Sequence, residues 1–123
     1  MPTYRLSPLG QKYIRNPSRN QDERIGSAFF KNLILVFVFL NGSYKPSECK
    51  TFFESFGVLS AADEEQMRTR QYLKWKQYVD AAKQQLLGKQ ILVPAGNERF
   101  EIKPERVNEV FKQVSNYLEV VEP

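Results

Sequence analysis

The stretch from Phe29 to Leu40 constrains most how this chain can fold: it is the most apolar part of the sequence, and its uninterrupted portion runs only from Leu33 to Leu40. A helix that crosses a membrane needs about 20 apolar residues, so a run this short belongs in a protein core. It also starts too far into the chain, after a polar region, to be a secretory signal, which predicts a soluble, cytoplasmic protein. Two conformations compete for the run. Ile34, Val36, Val38 and the phenylalanines have the branched and aromatic shapes that favour strands. Asp22 and Glu23 are placed where acids favour a helix start, and the length suits a helix buried over its second half. We take a helix from Asp22 to Leu40. Asn41-Gly42 then stops it, although the same pair would make a hairpin turn if the run were a strand.

At 123 residues the chain is long enough for one domain with one core, and nine Phe, six Tyr and one Trp supply apolar area for it. There is no histidine and a single cysteine, Cys49. A disulfide within the chain, a His/Cys zinc cluster and a Ser-His-Asp or Cys-His catalytic set are therefore excluded. Neither a phosphate-cradling glycine loop nor a set of metal ligands is legible, so the expectation is no enzyme, no cofactor and no metal.

Met1 to Gln21 holds Arg5, Lys12, Arg15 and Arg19 and no acid. A strand or arm near Tyr4 to Leu6 precedes a short helix from Pro8 to about Arg15, with Ser7 as N-cap, Pro8 at the first helical position, and Leu9 and Tyr13 on one face. Such an arm either follows a nucleic-acid backbone or is simply mobile. Lys45-Pro46-Ser47-Glu48 opens another helix, with Cys49, Phe52, Phe53 and Phe56 on one face and Gly57 at its end. After a linker from Val58 to Gln66, a long helix runs from about Glu64 or Met67 to Leu87. Tyr72, Trp75, Val79, Ala82 and Leu86 recur at spacings of three and four, so they share a buried face. Arg70, Lys74, Gln77, Ala81 and Gln84 follow the same spacing on another.

Past a helix-stopping Gly88, Ile91-Leu92-Val93 and Arg99-Phe100-Glu101-Ile102 read as two strands around Ala95-Gly96-Asn97. Phe100 and Ile102 face one way and Arg99 and Glu101 the other. Pro104 then opens a helix with Val107, Val110, Phe111, Val114, Tyr117 and Leu118 on one side. The expected fold is α+β, mainly α with a small β-hairpin: a winged helix-turn-helix with a basic N-terminal arm (1–21), a winged-helix core (22–102) and a C-terminal amphipathic helix (103–123).

Charge concentrates on the third helix of that core. From Arg68 to Lys89 six cations face Asp80 alone, a net +5, although the whole chain nets only +4. A basic run on a helix is commonly just a solvated face, but here it coincides with the element that would enter a major groove. Neutralising phosphates releases counterions, and Arg and Gln can read guanine and adenine edges.

Leu6-Ser7-Pro8-Leu9-Gly10 leading to Tyr13, a helix from Asp22, then Tyr72, Trp75, Leu86-Leu87 and a wing ending Phe100-Glu101-Ile102 resemble the winged-helix recognition subdomains of type IIS restriction endonucleases. The resemblance spans about Leu6 to Ile102, with Ser7 where that box usually has Thr. It implies recognition of double-stranded DNA without catalysis in this chain, cleavage residing in a separate domain with a PD-(D/E)xK site. Glu101-x-Lys103 is only a partial match to that site. The expected DNA-binding residues are Arg68, Arg70, Gln71, Lys74 and Gln77 on the helix, with Asn97 and Arg99 on the wing. The alternative is a winged-helix protein-interaction or dimerisation module, which would meet a second copy or an adjoining domain through its C-terminal helix or its phenylalanine-rich surface.

Overall fold

A helix buried on every side organises the computed structural model, which describes residues 3–15, 27–55 and 74–122. This is α2 (Ser27–Asn41), preceded by β1 (Thr3–Leu6) and α1 (Pro8–Arg15). Phe30 and every residue from Leu33 to Val38 are buried. The helix wins over the strand that propensity favours because it satisfies its backbone hydrogen bonds internally. A central strand would need a partner on each edge, and the two small sheets described below are paired within themselves. Each such buried aliphatic or aromatic side chain is worth about 1.5–3 kcal/mol. The proposed start of the helix near Asp22 lies outside the described residues.

Asn41-Gly42 ends α2 as a helix stop. Gly42 has φ +88° and its N–H donates to the Val38 carbonyl at 2.6 Å, while Asn41 Nδ2 donates to the Phe37 carbonyl at 3.1 Å. Next, buried Tyr44 makes an isolated antiparallel bridge with Phe100, each N–H donating to the other's carbonyl at 2.8 and 2.9 Å. Helix α3 (Pro46–Ser55) follows, its Phe52 ring edge-on to Phe37 at 5.4 Å. The Val58–Gln66 linker and the expected beginning of the long helix lie outside the described residues.

Helix α4 (Lys74–Gly88) packs along α2 with Val79, Ala82 and Leu86 buried, as their spacing predicts. Tyr72 and the side chain of Trp75 are outside the described set. The helix closes differently from the expectation built on Gly88. The Ile91 N–H donates to the Leu86 carbonyl at 2.9 Å and the Gln90 N–H to that of Leu87 at 3.0 Å, with Gln90 at φ 59°. That is a Schellman motif in which Gln90, not a glycine, takes the left-handed position, and Leu86 and Ile91, the two residues such a motif brings together, are both buried.

Strands β2 (Leu92–Pro94) and β3 (Phe100–Ile102) form an antiparallel hairpin in the register Leu92 to Ile102, Val93 to Glu101 and Pro94 to Phe100. Ile102 is buried and Glu101 exposed, the alternation expected of a strand covering a core on one face. Gly96, Asn97 and Glu98 all have positive φ in the turn between them.

The C-terminal segment departs from the single helix expected there. A 3₁₀ turn at Pro104–Arg106, α5 (Val107–Val114) and a second 3₁₀ turn at Ser115–Tyr117 give way to a strand, β4 (Leu118–Glu122). This strand pairs antiparallel with β1, Leu6 opposite Leu118 and Arg5 opposite Glu119. Val107, Val110, Phe111 and Val114 keep the helical stripe. Beyond them Val120 and Val121 are good strand formers, and β1 supplies backbone partners. Thr3–Leu6, within the expected basic arm, is therefore one strand of a sheet closed by the C-terminal segment, and Arg5 Nε is ion-paired with Glu119.

The Ser7 box fastens this closure. Ser7 caps α1 by accepting the Gly10 N–H at 2.9 Å on its hydroxyl, which itself donates to the Asn116 carbonyl at 2.7 Å, and the Ser7 N–H donates to the Tyr117 carbonyl at 2.9 Å. Gly10 and Ile14 are the buried face of α1, whereas Leu9 and Tyr13 share the exposed one. Burial pushes the Tyr117 phenol above its ordinary pKa, against a hydrogen bond with Asn32 and with a contribution from nearby Tyr13. The molecule is thus mainly helical with two small antiparallel sheets, and no helix among the described residues is long and apolar enough to cross a membrane.

Candidate nucleic-acid interface

The face of α4 opposite its core contacts carries Gln77, Asp80 and Gln84, all exposed, with Ala81 half-buried among them. Lys74 is the first residue of the helix and belongs to the same stripe by spacing, but its side chain is outside the described set. Arg68, Arg70 and Gln71 lie outside the described residues. From Gln77 to Lys89 the cations are Lys83 and Lys89, against Asp80. Most of the local positive charge therefore sits at the N-terminal end of α4 and just before it.

Lys83 is turned toward the protein: its amine lies 5.4 Å from the centroid of the Phe100 ring, a cation–π arrangement that ties α4 to β3. The sequence stripe did not reveal this.

The hairpin tip exposes Ala95, Gly96, Asn97 and Glu98. It is closed by the Ala95 N–H donating to the Arg99 carbonyl at 2.8 Å and the Arg99 N–H to that of Gly96 at 2.9 Å. Asn97 is exposed at φ 54°, a left-handed geometry that Asn tolerates better than most side chains. Arg99 does not project freely. Its Nη1 and Nη2 each donate to one Glu48 carboxylate oxygen at 3.0 Å, and Nη1 also donates to Ser43 Oγ at 3.0 Å. This fork joins the tip end of the hairpin to the first turn of α3 across 51 residues. No local pattern signals such a contact, and Glu48 and Ser43 were not among the expected site residues. The pair remains 37% and 44% exposed, so its stabilising effect is small, up to about 1 kcal/mol.

Further ties hold the end of α4 against the hairpin. Arg106 Nη1 donates to the Lys89 carbonyl, and Lys103 Nζ donates to Gln90 Oε1 at 3.2 Å. Arg106 also grips Glu109 through Nε and Nη2 at 3.2 and 3.0 Å. That hydrogen bond, aided by the guanidinium charge, holds the Glu109 carboxyl below the usual range.

Glu101 is exposed on β3, and Lys103 Nζ, which donates to Gln90 Oε1, lies 3.9 Å from Glu105. Among the described residues no three potential metal ligands cluster. A cleft of about 400 Å³ lies between α2 and α3, lined by Phe37, Asn41, Glu48, Thr51 and Phe52. The apolar face of α5 packs on the chain's own core, with Val110 and Val114 buried and Val107 and Phe111 packed against it. Comparison with protein-family models, curated proteins and solved structures finds no match to this chain.

Proposed function

We propose that this chain is a winged helix-turn-helix that binds duplex DNA without cutting it, as the recognition module of a restriction or defence-type protein. The observation that carries the reading is the bridge between Tyr44 and Phe100. It adds a third strand position, between α2 and α3, to the outer side of the β2–β3 hairpin, so the order is helix, strand, helix, helix, hairpin. A winged helix uses that order to hold its wing beside its third helix, the element that docks in a helix-turn-helix. The third helix here is α4, and the basic charge lies toward its N-terminal end, the end from which such helices contact base edges. Arg68, Arg70, Gln71, Lys74 and Gln77 then meet the groove, with Asn97 and Arg99 beside the backbone. The test is fluorescence anisotropy with a labelled random duplex across a salt series. Binding at low salt that weakens linearly in log salt supports the reading, and absence of binding at low salt removes it.

Exposed Leu9, Tyr13, Val120 and Val121 favour a second reading, a protein-interaction or dimerisation module with no nucleic-acid role. A stable dimer in sedimentation velocity, together with no salt-dependent duplex binding, selects it.

A further inference from the structure

Arg99 is held by Glu48 in the geometry it would use for a phosphate. Two parallel N–H donations at 3.0 Å to the two carboxylate oxygens are the fork by which a guanidinium binds carboxylates and phosphates alike. The pair is not a core fastening: both side chains are over a third exposed, while β3 is held beneath it by the Tyr44 bridge and by buried Ile102. Arg99 also stands directly beside the exposed tip residues Asn97 and Glu98. The cation nearest the tip is therefore accessible, yet already neutralised by an acid from another element. Glu48 sits in the first turn of α3, where the helix dipole favours a negative charge whether or not Arg99 is bound.

From this arrangement we infer that Glu48 limits DNA affinity by competing with backbone phosphate for Arg99. The inference rests on the DNA-binding reading and deepens it. A phosphate that takes Arg99 must displace the Glu48 carboxylate and then tolerate it nearby, so the contact forms only where the remaining interface holds a phosphate in register. Like-charge juxtaposition of this kind suppresses loose binding more than well-docked binding. Ser43 Oγ, a neutral acceptor at 3.0 Å, can keep one N–H of the guanidinium throughout the exchange.

The experiment compares the unsubstituted chain, Glu48→Gln, Arg99→Ala and the double variant for binding to a random duplex over a salt series, with thermal melts to verify folding. Glu48→Gln should bind roughly twofold to fivefold tighter, the equivalent of one exposed ion pair. Its log–log salt slope should steepen by about 0.9, one additional phosphate, and both gains should vanish in the Arg99→Ala background. A gain that persists without Arg99 reports only the removal of a negative charge and overturns the inference. Arg99 side-chain resonances should also shift more when duplex is added to Glu48→Gln than when it is added to the unsubstituted chain, and equal shifts overturn the inference. Binding by the unsubstituted chain that Glu48→Gln does not strengthen removes the inference alone. Absence of salt-dependent binding in every protein removes the DNA reading as well.

Discussion

Gly10 lies against the backbone of Tyr117 so closely that a Cβ on it would sit 2.6 Å from the Tyr117 Cα and overlap the Tyr117 carbonyl oxygen. This approach lets α1 rest on the turn that leads into β4, so the Ser7-Pro8-Leu9-Gly10 box acts as a clasp between the two ends of the described chain. Gly10→Ala must push backbone aside and should destabilise by about 1–3 kcal/mol in urea denaturation, the usual cost of overpacking. Gly88→Ala is the control. Nothing lies within 4 Å of the added Cβ and its φ is not positive, so it should be neutral or stabilise by up to about 1 kcal/mol. Equal losses from the two variants would contradict the clasp.

Gln90 occupies the left-handed closing position of α4, where a side chain costs roughly 1–2 kcal/mol that glycine avoids. Gln90→Gly should therefore raise stability by about 1 kcal/mol, less whatever the exposed contact from Lys103 Nζ to its side chain contributes. A lower urea midpoint than the parent would show that the Lys103 contact outweighs backbone strain.

Arg106 lowers the carboxyl pKa of Glu109, first through their hydrogen bond and then through charge. A group with a depressed folded pKa contributes stability that is present above its unfolded pKa and lost as pH falls through the folded one. The stability difference between the parent and Glu109→Gln should accordingly shrink as pH drops from the ordinary glutamate range to below it. NMR titration of the Glu109 carboxyl should give a lower midpoint in the parent than in Arg106→Gln, and equal midpoints would contradict the pairing.

Periodicity carried much of this fold. The core-facing sides at Val79, Ala82 and Leu86 and at Phe100 and Ile102, and the capped start at Ser7-Pro8, are local patterns, set within a few residues by helix or strand geometry. The strand at Leu118–Glu122 was illegible because its partner, Thr3–Leu6, lies at the other end of the chain, and Tyr117-Leu118 fits a helical stripe until that partner is known. The candidate site divides the same way. Composition located the positive charge between Arg68 and Lys89, but not which cations are already partnered: Lys83 lies over Phe100 and Arg99 forks onto Glu48, both through contacts remote in sequence.

The central claim is that the basic N-terminal end of α4 holds duplex DNA, and the salt slope of binding tests it most directly. Arg70→Ala with Lys74→Ala, measured beside the unsubstituted chain and a Lys12→Ala, Arg15→Ala control on α1, should flatten the slope by about 1.8, two phosphates. The control should leave it near the parental value. An Arg70→Ala, Lys74→Ala variant that keeps the parental affinity and slope would contradict the account.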